Sequence, residues 1–411
     1  MLRRAAFALL WLLAAAAVPA AGQELRVSIL TVGPGELPYE RFGHNAILFE
    51  LDDDPGSGVA FDWGRFDFDQ PGFIRRFAAG DMLYSSGVSA ADDLIHFYRD
   101  VQRRFVLVQE LNLTPEQAQS LLAACQAGAQ PENREYTYDY FLANCSTKLR
   151  DALDAAVGGQ LKEQLAGVAT GTTFRREAER HMAADWPLWF AFHAGFGPRA
   201  DMAIDAWQRA FLPGELAKSL RTVTLADDDG SRRPLVGEER VVSVGRDALL
   251  PPAQPPSRWW QTGLIGLGVA GLIALPKAVG RPALARAAAA LWFLLCGAAG
   301  FLGLFIWHFT SHWSGHANQS ILLLSPLGVP LAVMTLANRW PRATAWTAAV
   351  HLGLCVLATV LHLIPGVGQE NLGVVTLALP ANLAAAWAAG VGRLVRPSGT
   401  ADSPAIAPAT A

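Results

Sequence analysis

The chain has 411 residues, 52% of them hydrophobic and 17% charged, a length that accommodates two domains. Its acidic residues exclude a single soluble domain: only Glu370 and Asp402 lie at or beyond Trp259, and the other 34 precede it. Ionised groups are costly in hydrocarbon, so the second part has the composition of a bilayer segment. Residues 23–258 carry 24 Lys and Arg against 34 acids, which opposes nucleic-acid binding because that needs a basic face.

In chain order, Met1-Leu-Arg-Arg precedes an apolar run over Ala5–Val18 and small residues at Ala20–Gly22. This reads as a secretory signal over residues 1–22, with an uncleaved anchor as the alternative. Residues 23–250 then form the exported domain. Strands are predicted over Leu25–Thr31, Ala46–Leu51, Val59–Trp63 and Phe105–Leu111, with a turn at residues 52–56. Thr114-Pro115-Glu116-Gln117 has the spacing of a capping box and predicts a helix start, with Leu121, Leu122 and Cys125 on its apolar face. Leu149, Leu153 and Val157 continue at helical period after Cys145, which places that cysteine near a helix N-terminus. There the macrodipole and free N–H groups favour a thiolate and can receive an oxyanion.

Pro251–Pro256, within residues 251–258, reads as a stiff hinge. Five apolar runs follow over residues 259–396: Trp259–Leu275, Ala283–Trp307, Ser320–Ala337, Ala345–Ile364 and Leu372–Val391. Each is near the length that spans roughly 30 Å of hydrocarbon. Lys277 and Arg281 mark the first connection, with Arg286 just beyond it, Arg339 and Arg342 the third, and Arg393 and Arg396 the tail, whereas the second and fourth lack Lys and Arg. The positive-inside rule then places the C-terminus in the cytoplasm and the exported domain on the other side of the membrane. The Ala/Pro/Ser-rich stretch 397–411 reads as a disordered tail.

A nucleophilic cysteine needs a base, and His44, in Phe42-Gly43-His44-Asn45-Ala46 directly before a strand, is the candidate. A base at a sheet edge facing a thiol at a helix start is the papain arrangement. The order His before Cys is that of its circularly permuted members. Asp62 and Asp67 are candidates for the group that orients the imidazole, and Asn144 for an oxyanion contact. The plainer readings are a structural thiol at Cys145, or a disulfide with Cys125, and a strand-edge histidine at His44. His308, His312 and His316 are spaced by four, but Gly315 and the neighbouring serines favour a loop over a metal-binding helix face. His312, His316, Asn318, Gln369 and Asn371 are read as one outward surface that contacts substrate headgroups or an amino terminus. No metal and no cofactor is expected.

These motifs, with Phe61-Asp-Trp-Gly-Arg-Phe-Asp-Phe68 and Tyr138–Thr147, resemble the exported domain of the Lnb family. The His308–Asn318 stretch and Gln369-Glu370-Asn371 resemble that family's outward loops. The resemblance implies an α+β architecture: a circularly permuted papain-like thiol-enzyme domain followed by an all-α transmembrane helical bundle. It also implies a bacterial lipoprotein N-acyltransferase, which moves an acyl chain from the diacylglyceryl group to the N-terminal amine. Cys145 would be the nucleophile, carrying a thioester, and His44 the base. Membrane lipids and lipoproteins are then the expected substrates. A cysteine peptidase or amidase acting on cell-wall peptides, and a non-catalytic envelope binding module, are the alternatives.

Overall fold

Strands whose alternate residues are apolar bury one face each, and here they assemble into one antiparallel sheet. The computed structural model describes residues 25–51, 58–227, 229–246 and 250–394. The predicted signal at 1–22, the 52–56 turn and the 397–411 tail lie outside them. By internal contacts the chain forms two units, one of residues up to 192 with 200–256, the other of 193–199 with 257 onward.

The first unit contains eleven strands among the described residues: β1 Leu25–Val32, β2 His44–Leu51, β3 Val59–Arg65, β4 Leu83–Ala90, β5 Phe105–Leu111, β6 Glu135–Thr137, β7 Ala169–Thr173, β8 Ala203–Asp205, β9 Thr224–Ala226, β10 Arg232–Pro234 and β11 Val236–Val244. Seven of them form a sheet in the order β11-β5-β1-β2-β3-β4-β6, and β7-β8 and β9-β10 pair separately. The four strands expected from alternation are present, β1 being extended by one residue and β2 and β3 by two each. On one face Ile29, Ile47, Phe49 and Phe61 pack against Leu121 and Cys125 of the Pro115–Gly128 helix and Leu149 and Leu153 of the Cys145–Ala156 helix. On the other, Leu30, Ala46, Leu48 and Ala60 pack against Ala91 and Leu94. The Thr114 capping box is formed: Gln117 N donates to Thr114 Oγ1 at 3.2 Å and Thr114 N to Gln117 Oε1 at 3.0 Å. All four cysteines are buried free thiols, so no Cys125–Cys145 disulfide exists.

The second unit is helical. Four of its segments, Trp259–Ala278, Pro282–Phe309, Ser320–Ala337 and Pro341–His362, are long and apolar enough to cross a membrane. The fifth, Leu372–Ala388, has 17 residues, ends three residues before the expected Val391 and falls short of that length. The third is interrupted between Leu323 and Gly328, where Ser325-Pro326 cannot continue the helical bonding. A carbonyl freed inside hydrocarbon must find a donor. Leu323 O accepts from Asn382 Nδ2 at 2.9 Å, and Asn382 Oδ1 accepts from Trp292 Nε1 at 2.8 Å and bonds His351 Nε2 at 3.2 Å. His351 thus belongs to the packed interior, as read from its place within a span.

Close approach of the helices uses glycine. A Cβ on Gly328 would lie 2.1 Å from Phe293 O, and one on Gly297 2.5 Å from Val329 N. Both clashes are with backbone, which cannot swing aside. Gly328→Ala is therefore expected to force the Pro282–Phe309 and Gly328–Ala337 helices apart and to destabilise the protein by about 1–3 kcal/mol. A lowered thermal midpoint in detergent checks this; an unchanged midpoint contradicts it.

Candidate active site

Strand register places the first two groups of the site. β2 and β3 pair so that Ala46 faces Asp62, which puts His44, at the start of β2, on the same face and diagonal to Asp62. His44 Nε2 and Asp62 Oδ2 are 3.1 Å apart. The other carboxylate oxygen, Oδ1, accepts from Arg65 Nε at 2.6 Å, and Arg65 also donates to Ser89 Oγ at 2.6 Å. Asp62 is thus buried, with both oxygens engaged.

A β-bulge positions the third group. Pairing of β3 with β4 shifts between Trp63 and Arg65, and Gly64 sits in the bulge with φ +95°. That conformation is open to glycine and strained for other residues. A Cβ there would lie 3.6 Å from Cys145 Cβ, so the helix start comes up against this strand end.

Asn144 shapes that helix start. Its Oδ1 accepts from the Ser146 and Thr147 amides at 2.9 Å each, while its Nδ2 donates to Tyr140 O and Phe211 O, also at 2.9 Å each. Both N–H hydrogens of the amide are used. This corrects the expectation that Asn144 contacts an oxyanion: the side chain caps the helix and anchors it to two loops. With the Ser146 and Thr147 amides capped, the Cys145 N–H is the first-turn donor left open among the described residues.

Electrostatics link the three groups. Burial works to lower the His44 pKa, but Tyr98, Cys145 and Asp62 outweigh it, and the imidazole is held well above its usual 6.5. Since Nε2 is engaged with Asp62, Nδ1 is the nitrogen left for the thiol. Asp62 moves the opposite way: burial raises it, but His44 and Arg65 overcome that, and it falls below 3.8.

Asp67 does not join this row. It lies exposed in the turn after β3, where its Oδ1 accepts from the Asp69 amide at 2.9 Å. The strand ends before residue 67, so the carboxylate serves its own turn. Asp62, on the strand itself, is the one that meets His44.

The site opens into a cavity of about 490 Å³, lined by His44, Cys145 and a run of aromatic rings that includes Trp63, Phe66, Phe73, Tyr84, Tyr138 and Phe141. That size is within the range of small-ligand pockets. Phe66 packs on Tyr84 with centroids 5.1 Å apart, and Tyr84 stacks on Tyr138 at 4.3 Å. Phe68, Phe77 and Tyr39 also line it and are exposed, so the cavity has an apolar rim.

Sequence reasoning missed Tyr98 and Arg65. Tyr98, whose ring centroid is 5.9 Å from that of His44, sits in a single π-helical turn, Phe97–Val101. Such turns are often found at functional sites, but nothing in the local spacing announces one. Arg65 stood within the Phe61–Phe68 motif, but no role was drawn for it.

The outward-surface residues are placed differently from the expectation. Asn318, Gln369 and Asn371 are buried. Asn318 Nδ2 donates to Ala194 O at 2.7 Å and Gly195 O at 3.0 Å, and Gln369 Nε2 to Phe196 O at 2.8 Å and Asn318 Oδ1 at 3.0 Å. Asn371 Nδ2 donates to Ser320 Oγ at 3.0 Å. Asn318 and Gln369 clasp residues 194–196 within the second unit and Asn371 holds Ser320, so these amides have little left for a substrate. His316 Nε2 is 3.0 Å from Thr310 O, a loop contact, and His312 is half-buried in the same loop. The Pro282–Phe309 helix ends before His312, so His308, His312 and His316 share no helix face.

Fold and site define a membrane protein whose α+β domain, with a Cys–His–Asp row at the end of its sheet, precedes a helical membrane segment. Residues 17–179 match the Lnb N-terminal periplasmic domain, and residues 264–386 match the Lnb transmembrane domain. The chain belongs to the Lnb family, as its motifs had suggested. No curated protein and no solved structure matches it.

Two outcomes follow from the row. A raised His44 pKa contributes stability that is full below its unfolded value near 6.5 and lost as pH rises through the folded value. A lowered Asp62 pKa contributes stability present above 3.8 and lost as pH falls through its folded value. The pair is therefore most stabilising between those limits. Asp62→Asn removes the charge that favours the imidazolium, so the pKa of His44, followed by its NMR proton shifts, should move down. Separately, Asn144→Ala should cost roughly 1–2 kcal/mol through loss of the cap, and slow alkylation of Cys145 by iodoacetamide.

Proposed function

We propose that this protein is a cysteine acyltransferase that takes an acyl chain from a lipid or lipoprotein diacylglyceryl ester and delivers it to an amine. His44 accepts the thiol proton of Cys145, and Sγ attacks the ester carbonyl. Collapse of the tetrahedral intermediate breaks the ester C–O bond, and the His44 imidazolium protonates the departing alkoxide. The lyso product leaves an acyl thioester on Cys145. The incoming amine then attacks that thioester, His44 takes its proton, and the amide forms as the thiolate departs and is reprotonated. Asp62 orients the imidazole and favours its protonated form, a positioning role that Arg65 extends. The Cys145 N–H is suited to the oxyanion.

The observation that carries this reading is the aromatic cavity that ends at Cys145 and His44. A peptide would ask for polar partners along its backbone. This lining offers mostly rings, which suit a hydrocarbon chain whose every methylene gains about 0.8 kcal/mol on leaving water. The arrangement of a strand-borne base ahead of a helix-borne thiol fits a circularly permuted papain-like domain. Loop charges support a cytoplasmic C-terminus and a periplasmic catalytic domain in an inner membrane.

The experiment is incubation of the purified protein with a phospholipid or diacylated lipopeptide carrying a labelled acyl chain. Label should appear on the Cys145 peptide, be released by neutral hydroxylamine, and pass to an N-terminal amine. Cys145→Ala should carry none, and His44→Ala should slow transfer by about 10²–10⁴-fold. Labelled peptide products with no acyl-enzyme would sink the reading. Phe77→Asp, at the apolar rim, should raise KM for the lipid-linked donor more than it changes kcat; equal effects on both would count against chain entry there.

A further inference from the structure

We propose that the helical unit binds the phosphate group of an anionic lipid in a small basic cleft, separate from the thiol site. The cleft, about 50 Å³, is lined by Lys277, Arg286, Arg393 and Thr335 together with Pro282 and Pro341. Three cations converge there, and no acidic residue lines the cleft among the described residues. Among the described residues none of the three forms an ion pair. Glu370, the one acid among the described residues of this unit, precedes the Leu372–Ala388 helix, whereas the cleft lies at that helix's other end. Lys277 is held by neutral partners: it donates to Trp387 O at 2.5 Å and sits 4.0 Å above that ring. Like charges gathered at a membrane edge repel unless an anion joins them.

Backbone dipoles add to the same field. Pro282 and Pro341 occupy the first turns of two long helices, of 28 and 22 residues, and both line the cleft. Their free N–H ends carry partial positive charge and favour an anion.

A third, independent observation is an orphaned hydroxyl. Thr335 is 2% exposed, and its Oγ1 has no hydrogen-bond partner. A buried threonine in a helix ordinarily bonds a carbonyl one turn back, and leaving it unpaired is costly. A phosphate oxygen in the cleft would accept from Thr335 and neutralise the cations together. Leu275, Leu336 and Trp340 nearby are exposed apolar side chains, as lipid-facing residues are. Acyl tails can lie along them, so the phosphate is assigned to a lipid headgroup and not to the free ion. Basic clefts between membrane helices are known lipid-headgroup sites in general.

The test uses the full-length protein, delipidated in detergent and titrated separately with phosphatidylglycerol, phosphatidylcholine and inorganic phosphate. Native mass spectrometry counts bound molecules, and thermal melting reads their effect. One phosphatidylglycerol per chain is expected, at least tenfold tighter than phosphatidylcholine, with a raised melting midpoint. The Arg286→Gln/Arg393→Gln variant should bind it at least tenfold more weakly while melting like the parent in the absence of lipid. Should that variant fail to fold, Thr335→Val, nearly isosteric, should still weaken binding measurably. Equal binding of the two lipids, wild-type affinity in the variants, or equal stabilisation by inorganic phosphate would overturn the assignment. None of these readouts depends on acyl transfer, so they stand or fall apart from the thiol chemistry.

Discussion

Withdrawing a carboxylate and an imidazole from water is unfavourable unless each satisfies the other, and removing one partner from such a pair typically costs 3–5 kcal/mol. In this protein the pair is His44 and Asp62, 3.1 Å apart at the end of the sheet. Arg65 completes the carboxylate's bonding, and the whole row depends on β2 and β3 holding their register. A slip by one residue would turn Asp62 to the opposite face and leave His44 without a partner. The buried ladder Ile47, Phe49, Phe61 on the other face prevents that slip, because it too would be turned outward.

The thiol is fixed by a different device. Its helix is held from beneath by Leu149 and Leu153, both fully buried, and from its end by the four hydrogen bonds of Asn144. Gly64 then supplies a conformation and a closeness that a side chain would deny. Sheet, cap and bulge each restrict one coordinate of the site. The polar row consequently sits at the inner end of an apolar cavity. Aromatic walls exclude water while offering few hydrogen bonds, which strengthens the charges inside.

The helical unit solves a related problem with other means. Its interrupted third segment leaves carbonyls unpaired, and Asn382 answers one of them while tying in Trp292 and His351. The polar residues Asn318, Gln369 and Asn371 likewise serve packing, the first two by clasping the segment 194–196 and the third by holding Ser320. Intramembrane and juxtamembrane polar groups are often functional. Here the side-chain amides of Asn318, Gln369, Asn371 and Asn382 already have partners, whereas the cations around Thr335 form no ion pair among the described residues.

Much of this was legible in the chain itself. The acid-poor stretch after Trp259, the four alternating strands, the Thr114 capping box and the helix start at Cys145 all rest on interactions between near neighbours. Spacing within one turn or one strand reports those directly. His44 and Asp62 could be named as candidates because each stood on or beside a recognisable strand. What the local pattern could not decide was which of Asp62 and Asp67 reaches the imidazole, that Asn144 has no free N–H, that Tyr98 approaches His44, or that Gln369 is buried against Phe196. Those contacts join residues 18 to 173 positions apart, or depend on how many hydrogen bonds a side chain already makes. Both are set by sheet register and by packing, so they exist only once the whole chain has folded.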